Sequence, residues 1–163
     1  MKTQGMNLFI VDDNRLMVAD LRQYLQSRFG ASLKISTFDD GESCLLKVNK
    51  ETDVVILDYF MEGKNGLEIL KSIKAINPLT EVIMLSGNED IALAIETFRS
   101  GAKDYIIKGR GSLTKITNLV GDILTRPIKL LVKEFGLSVY MATFLVTFLA
   151  MAIVVLAVLH YVK

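Results

Sequence analysis

Val54-Val55-Ile56-Leu57 is an unbroken run of branched apolar residues, closed by a single carboxylate at Asp58. A strand with one wet face alternates polar and apolar positions, whereas a continuous run is what burial on both faces requires. Residues 54–57 are therefore expected in a parallel sheet, with Asp58 at the carboxyl end. Leu8-Phe9-Ile10-Val11 and Val82-Ile83-Met84-Leu85 read the same way. Leu33 to Phe38 and Tyr105-Ile106-Ile107 complete a set of five strands.

Amphipathic segments fill the spaces between them: Leu16 to Phe29, Gly41 to Asn49, Gly66 to Ile76, Glu89 to Ser100 and Ser112 to Leu124. In the fourth, Ile91, Ile95 and Phe98 fall on one side. Strictly alternating strands and helices with crossovers of this length predict a doubly wound, five-stranded parallel sheet with helices on both faces, a (βα)5 unit. Folds of this kind place their sites at the carboxyl ends of the strands.

The chain has 163 residues, about one domain's worth, and its net charge of +1 gives no sign of nucleic-acid binding. Cys44, the single cysteine, has no internal partner and lies beside Leu45 and Leu46, so it reads as a small core residue. Leu8 to Val11 is far shorter than a signal-peptide core and ends in two aspartates. The composition then steps sharply. Mean hydropathy of +0.38 is high for a chain with 23% charged residues, and the excess comes from Phe135 to Leu159, a run with no charged side chain. That run is long enough to cross a bilayer with some tilt.

Three parts are expected: a globular domain over 1–124, a linker or amphipathic juxtamembrane helix over 125–136, and a transmembrane helix over 137–162. Pro127 suits the first turn of a new helix, which predicts a restart there. Ile128, Leu131, Val132 and Phe135 share one face of that helix, compatible with an interfacial helix on anionic lipid and equally with a linker packed on the domain. Arg126, Lys129 and Lys133 precede the apolar run and only Lys163 follows it, which predicts a single-pass C-terminal anchor with the domain on the cytoplasmic side. Thr143 and Thr147, four residues apart, suit either a neighbouring helix or the helix's own backbone. His160 and Tyr161 fall where a headgroup-level anchor is expected.

Polar residues collect at the strand ends. Asp12 and Asp13 follow the first strand, Asp58 the third, Ser86 the fourth and Lys108 the fifth. In a parallel sheet these ends share one edge, so three carboxylates, a hydroxyl and an ammonium are expected in one cleft. Crowded carboxylates repel unless a cation sits among them, and oxygen-only ligands point to a hard ion such as Mg2+. A carboxylate beside such an ion and a lysine can attack phosphorus, giving an aspartyl phosphate, to which Ser86 can donate a hydrogen bond.

Phe9 to Asn14, Val55 to Met61 with Gly66 eight residues after Asp58, Met84-Leu85-Ser86-Gly87 and Gly101 to Lys108 together resemble the receiver domain of two-component response regulators, over residues 6 to about 124. The resemblance implies a flavodoxin-like fold. It implies Asp58 as phosphoacceptor, with Mg2+ held by Asp13, Asp58 and the backbone carbonyl of Phe60, and with Asp12 acting largely through water. Ser86 and Lys108 would bind the phosphoryl group and Tyr105 would act as a rotamer switch, although a partly buried aromatic at a sheet edge accounts for Tyr105 equally well. The implied donor is a histidine kinase or phosphotransfer protein, and the implied chemistry is self-phosphotransfer and autodephosphorylation, with no other enzyme activity. Two positions depart from the family pattern. Glu62 and Gly109 replace prolines, and the Lys108-Gly109 peptide is expected to be trans.

Taken together, these features predict phosphoryl reception and relay at the membrane with no attached output domain, a homodimer or partner forming on the surface of the fourth helix, fifth strand and fifth helix. Two other readings use the same residues. An aspartyl-phosphate phosphatase of the haloacid-dehalogenase type needs a second aspartate two residues after the nucleophile, and that position is Phe60. A phosphorylation-independent membrane adaptor would not need the acidic pair, Asp58 and Lys108 to be intact.

Overall fold

The computed structural model describes the backbone of residues 5–61, 65–135 and 139–161, and their side chains except at 127–140, 142 and 160–161. Five strands, β1 (Met6–Val11), β2 (Leu33–Phe38), β3 (Val54–Asp58), β4 (Glu81–Ser86) and β5 (Asp104–Ile107), form one parallel sheet in the order β2-β1-β3-β4-β5. Every residue of β3 is buried, as its continuous apolar run requires. The helices are α1 (Arg15–Phe29), α2 (Gly41–Leu45), α3 (Gly66–Ile76), α4 (Ile91–Arg99), α5 (Ser112–Phe135) and α6 (Val139–Tyr161).

Helix starts are set by short polar side chains. Asn14, Asp40, Asn65 and Asp90 each accept a hydrogen bond from a backbone N–H of the first turn of α1, α2, α3 and α4. The strand order places the site. From β1 the chain winds outward to β2, and from β3 it winds the opposite way to β4. The crevice at that reversal lies beyond the carboxyl ends of β1 and β3, where Asp12, Asp13 and Asp58 sit.

Two expectations about helices change. Helix α2 stops at Leu45 instead of Asn49. The Asn49 side chain accepts from the Glu51 N–H at 2.8 Å and its own N–H goes to Thr52 Oγ1 at 3.0 Å, a local turn that competes with another helical turn. Helix α5 runs through Pro127 without the predicted restart. Proline's fixed φ is helical, so continuing costs one backbone hydrogen bond and a local distortion without requiring a new helix start. In α4 the apolar stripe faces out. Ile91 is 76% exposed, Ile95 and Phe98 are about half exposed, and Thr97 occupies the buried side.

The chain divides into two compact units, Met1–Val120 and Gly121–Lys163, with the division inside α5. In the second unit, α6 is an uncharged helix over Val139–Tyr161. Its large apolar side chains, Phe144, Leu149, Val154 and Leu159 among them, are exposed. Thr147 Oγ donates to the carbonyls of Thr143 and Phe144 at 3.0 and 2.9 Å, so this threonine is spent on its own helix. The expectation of a membrane-crossing helix meets a limit here: among the described residues no helix is long and apolar enough to cross a membrane. The anchor reading of His160 and Tyr161 falls on side chains outside the described residues, as does the Glu62 departure in its entirety.

Candidate phosphoacceptor site

Val11 pairs with Leu57 across β1 and β3, so the next residues, Asp12 and Asp58, emerge side by side at the sheet edge. Both are buried, at 2% and 3% exposure, while Asp13 is exposed. Lys108 follows β5, and its N–H donates to the Ser86 carbonyl at 2.7 Å, fixing the lysine backbone beside the end of β4. From there Lys108 Nζ reaches both acids, lying 2.8 Å from Asp12 Oδ2 and 2.9 Å from Asp58 Oδ1. The first contact is a directed hydrogen bond. The second is close enough for an ion pair but misaligned for a hydrogen bond, which leaves Asp58 Oδ1 buried without a hydrogen-bond donor among the described residues.

The electrostatics follow from two buried carboxylates sharing one ammonium. Burial pushes the Asp58 carboxyl above its ordinary value; Lys108 pulls it down, the like charge of Asp12 pushes it up, and the net direction is up. For Lys108 burial is the largest single influence and acts downward. The Asp12 hydrogen bond and the negative charges of Asp12 and Asp58 together outweigh it, holding the ammonium protonated.

Asp12, Asp13 and Asp58 each offer a carboxylate oxygen, all within 4.8 Å of one another. A hard, oxygen-only donor set with an orphaned buried oxygen at Asp58 fits Mg2+. The oxygens are not equally available. Asp12 Oδ1 accepts from the Asn14 N–H at 2.9 Å and its Oδ2 from Lys108, whereas Asp13 and Asp58 keep freer oxygens.

Ser86 is fully buried at the end of β4, and its Oγ accepts from the Asn88 N–H at 3.0 Å. The Tyr105 hydroxyl donates to the Asn88 carbonyl at 2.8 Å. Asn88 thus joins the hydroxyl at the site to the aromatic on β5. The ring of Tyr105 is turned in, at 8% exposure. Phe60 lies two residues beyond Asp58 with a half-exposed ring, edge-on to Tyr59 at a centroid distance of 4.8 Å. No peptide bond among the described residues is cis, including Lys108-Gly109.

Asp12, Asp13, Asp58, Ser86 and Lys108 are each expected here from the sequence. Two contributors are not. Asn14 caps α1 and holds Asp12 in place, and an asparagine between a double aspartate and a helical run is a readable capping signal. Asn88 acts through its backbone, which leaves no signal in residue type.

Buried carboxylates and a lysine gathered at the reversal point of a parallel sheet define a phosphoacceptor α/β domain. Residues 8–120 match the response regulator receiver domain, and the chain belongs to that family. It is therefore a two-component receiver, which accepts a phosphoryl group on an aspartate. Relatives include the transcriptional regulatory protein MalR of Bacillus subtilis, 32% identical over 102 residues that make up 63% of this chain and 43% of MalR. The DNA-binding transcriptional regulator NtrC of Salmonella typhimurium is 33% identical over 103 residues, 62% of this chain and 21% of NtrC. The chain thus spans less than half the length of these relatives. The BeF3-activated receiver domain of DrrB superposes with a TM-score of 0.66 at 28% identity, covering 74% of this chain and 97% of that one. In the CheX-CheY-BeF3-Mg+2 complex from Borrelia burgdorferi the corresponding values are 0.63 and 28%, covering 71% and 87%.

Proposed function

We propose that Asp58 is the phosphoacceptor and that the donor is the phosphohistidine of a histidine kinase or phosphotransfer protein. The observation that carries this reading is the convergence of Asp12 and Asp58 on Lys108 at 2.8 and 2.9 Å in a buried crevice. An Asp58 oxygen attacks phosphorus, the bond to the donor's imidazole nitrogen breaks, and the leaving imidazole keeps the electron pair. Asp13, Asp58 and the Phe60 carbonyl would hold Mg2+, with Asp12 acting through water, and the ion supplies positive charge against the phosphoryl oxygens. Lys108 neutralises a further share of that charge, and Ser86 turns its hydroxyl from Asn88 toward the new oxygen. With Mg2+ and acetyl phosphate, the full chain is expected to gain the mass of one phosphoryl group. A folded chain whose mass does not change would sink the assignment.

The second part of the reading is a membrane tether, with the receiver on the cytoplasmic side. Its support is the run from Phe135 to Leu159, which carries no charged side chain, together with the exposed apolar side chains of α6. The three cations before it against Lys163 after it support the orientation. The chain is expected to stay in the pellet after alkaline carbonate extraction, and release into the supernatant would remove the tether.

Output is read through α4 and β5. Drawing the Ser86 hydroxyl toward a phosphoryl group breaks its bond to the Asn88 N–H, and Asn88 holds Tyr105 and leads into α4. The exposed stripe Ile91, Ile95 and Phe98, with Ile107 at the end of β5, offers the surface on which a partner or second copy docks. Confinement to a membrane would raise the effective concentration for such a contact. Beryllofluoride is expected to change amide exchange across residues 88–108; changes restricted to the crevice would refute this route.

A further inference from the structure

The opposite edge of the sheet carries groups that phosphoacceptor chemistry does not use. Among the described residues strand β2 borders only β1. In a parallel ladder alternate residues of an edge strand turn both backbone groups toward the neighbour, and the residues between them turn both outward. The Phe38 carbonyl accepts from the Asp12 N–H at 3.2 Å with Val11 opposite Phe38, so Lys34, Ser36 and Phe38 face β1. Ile35 and Thr37 therefore direct N–H and C=O away from the sheet. Beside this edge a groove of about 640 Å³ runs along α1, floored by Val18 and Ala19 and flanked by Arg15, Arg22, Gln26 and Thr37. Arg15 is paired with Asp39 at 2.9 Å, whereas the exposed Arg22 has no ion pair among the described residues.

We propose that this edge binds an extended acidic peptide segment of a partner protein, which adds as a strand beside β2 and sets a carboxylate on Arg22. Main-chain bonds to Ile35 and Thr37 would supply affinity, and the groove would receive alternate side chains. Charge decides against a second copy as the occupant. Arg15, Arg22 and Arg28 on α1 and Lys34 on β2 outnumber Asp20, Asp39 and Asp40, so self-pairing across a two-fold axis would bring like charges together. An acidic strand meets the opposite sign.

Fluorescence anisotropy with the full chain in detergent micelles tests this, using a short labelled peptide of alternating glutamate and valine and its lysine counterpart. The glutamate peptide is expected to bind saturably and the lysine peptide not. Arg22→Glu, a change on an exposed helix face, should weaken binding about tenfold or more. Thr37→Pro removes only an outward N–H, which an edge strand tolerates, and should abolish binding. Asp58→Asn should bind as the wild type does, which separates this site from the phosphoacceptor reading. Absence of saturable binding up to millimolar peptide, equal binding of both peptides, or wild-type binding by Arg22→Glu would overturn the proposal.

Discussion

Asp58→Asn is expected to abolish the mass gain with acetyl phosphate completely and, in chelator, to raise the melting temperature by a few degrees. The loss follows from chemistry: an amide has no anionic oxygen to attack phosphorus, and it weakens the donor set for Mg2+. The gain in stability follows from the charge count in the crevice. Asp12 and Asp58, almost fully buried, share the one ammonium of Lys108, and the isosteric amide leaves Lys108 in a one-to-one pair with Asp12. The sign with pH can be worked out. The folded-state pKa of Asp58 is raised above 3.8, so its contribution to stability is full below that value and is lost as pH rises through the raised pKa. The two proteins should thus converge in melting temperature in acid and separate toward neutral pH. Thermal scans in chelator at acid and neutral pH, beside intact-mass analysis, check both halves. A stoichiometric mass gain on the Asp58→Asn chain would move the acceptor to Asp12 or Asp13.

The strands and the polar residues at their carboxyl ends were legible for one physical reason. A parallel sheet buried on both faces needs continuous apolar runs, so the first polar residue after each run marks a strand end, and strand ends converge. Asp12, Asp58, Ser86 and Lys108 could all be placed by that rule. What escaped depends on competition between local and tertiary terms. Asn49 turns its side chain on the backbone and ends α2 early, a choice invisible in hydrophobic periodicity. In α4 a clean stripe of Ile91, Ile95 and Phe98 is the usual sign of a core-facing side, yet the buried side carries Thr97, whose Oγ has no hydrogen-bond partner among the described residues. Periodicity shows that a helix has an apolar face. It does not show whether that face meets the sheet or something outside the domain.

Gly66→Ala is expected to destabilise the receiver by about 1–3 kcal/mol or more and to cut phosphorylation of Asp58 sharply, although residue 66 carries no reactive group. Helix α3 begins at Gly66, capped by the Asn65 side chain on the Glu68 N–H at 3.0 Å, and the Gly66 N–H donates to the Tyr59 carbonyl at 2.9 Å. That bond draws the helix start against the chain leaving β3. A methyl group at position 66 would meet the backbone carbonyl oxygen of Asp58 and lie 2.7 Å from the Tyr59 Cα. Both are backbone atoms, and neither can rotate away. The Tyr59 N–H is in turn held by the Leu85 carbonyl at 2.8 Å, so relief by moving β3 would break its pairing with β4. The remaining way out is to push α3 away from Asp58, which widens the turn carrying Phe60 and its carbonyl. Since an aspartate displaced by about 1 Å loses much of its alignment with Lys108 and the donor, the chemistry should suffer more than the fold. Denaturant unfolding measures the first effect and the initial rate of mass gain the second. A Gly66→Ala chain that is phosphorylated at the wild-type rate would show that the loop after β3 does not set the position of Asp58.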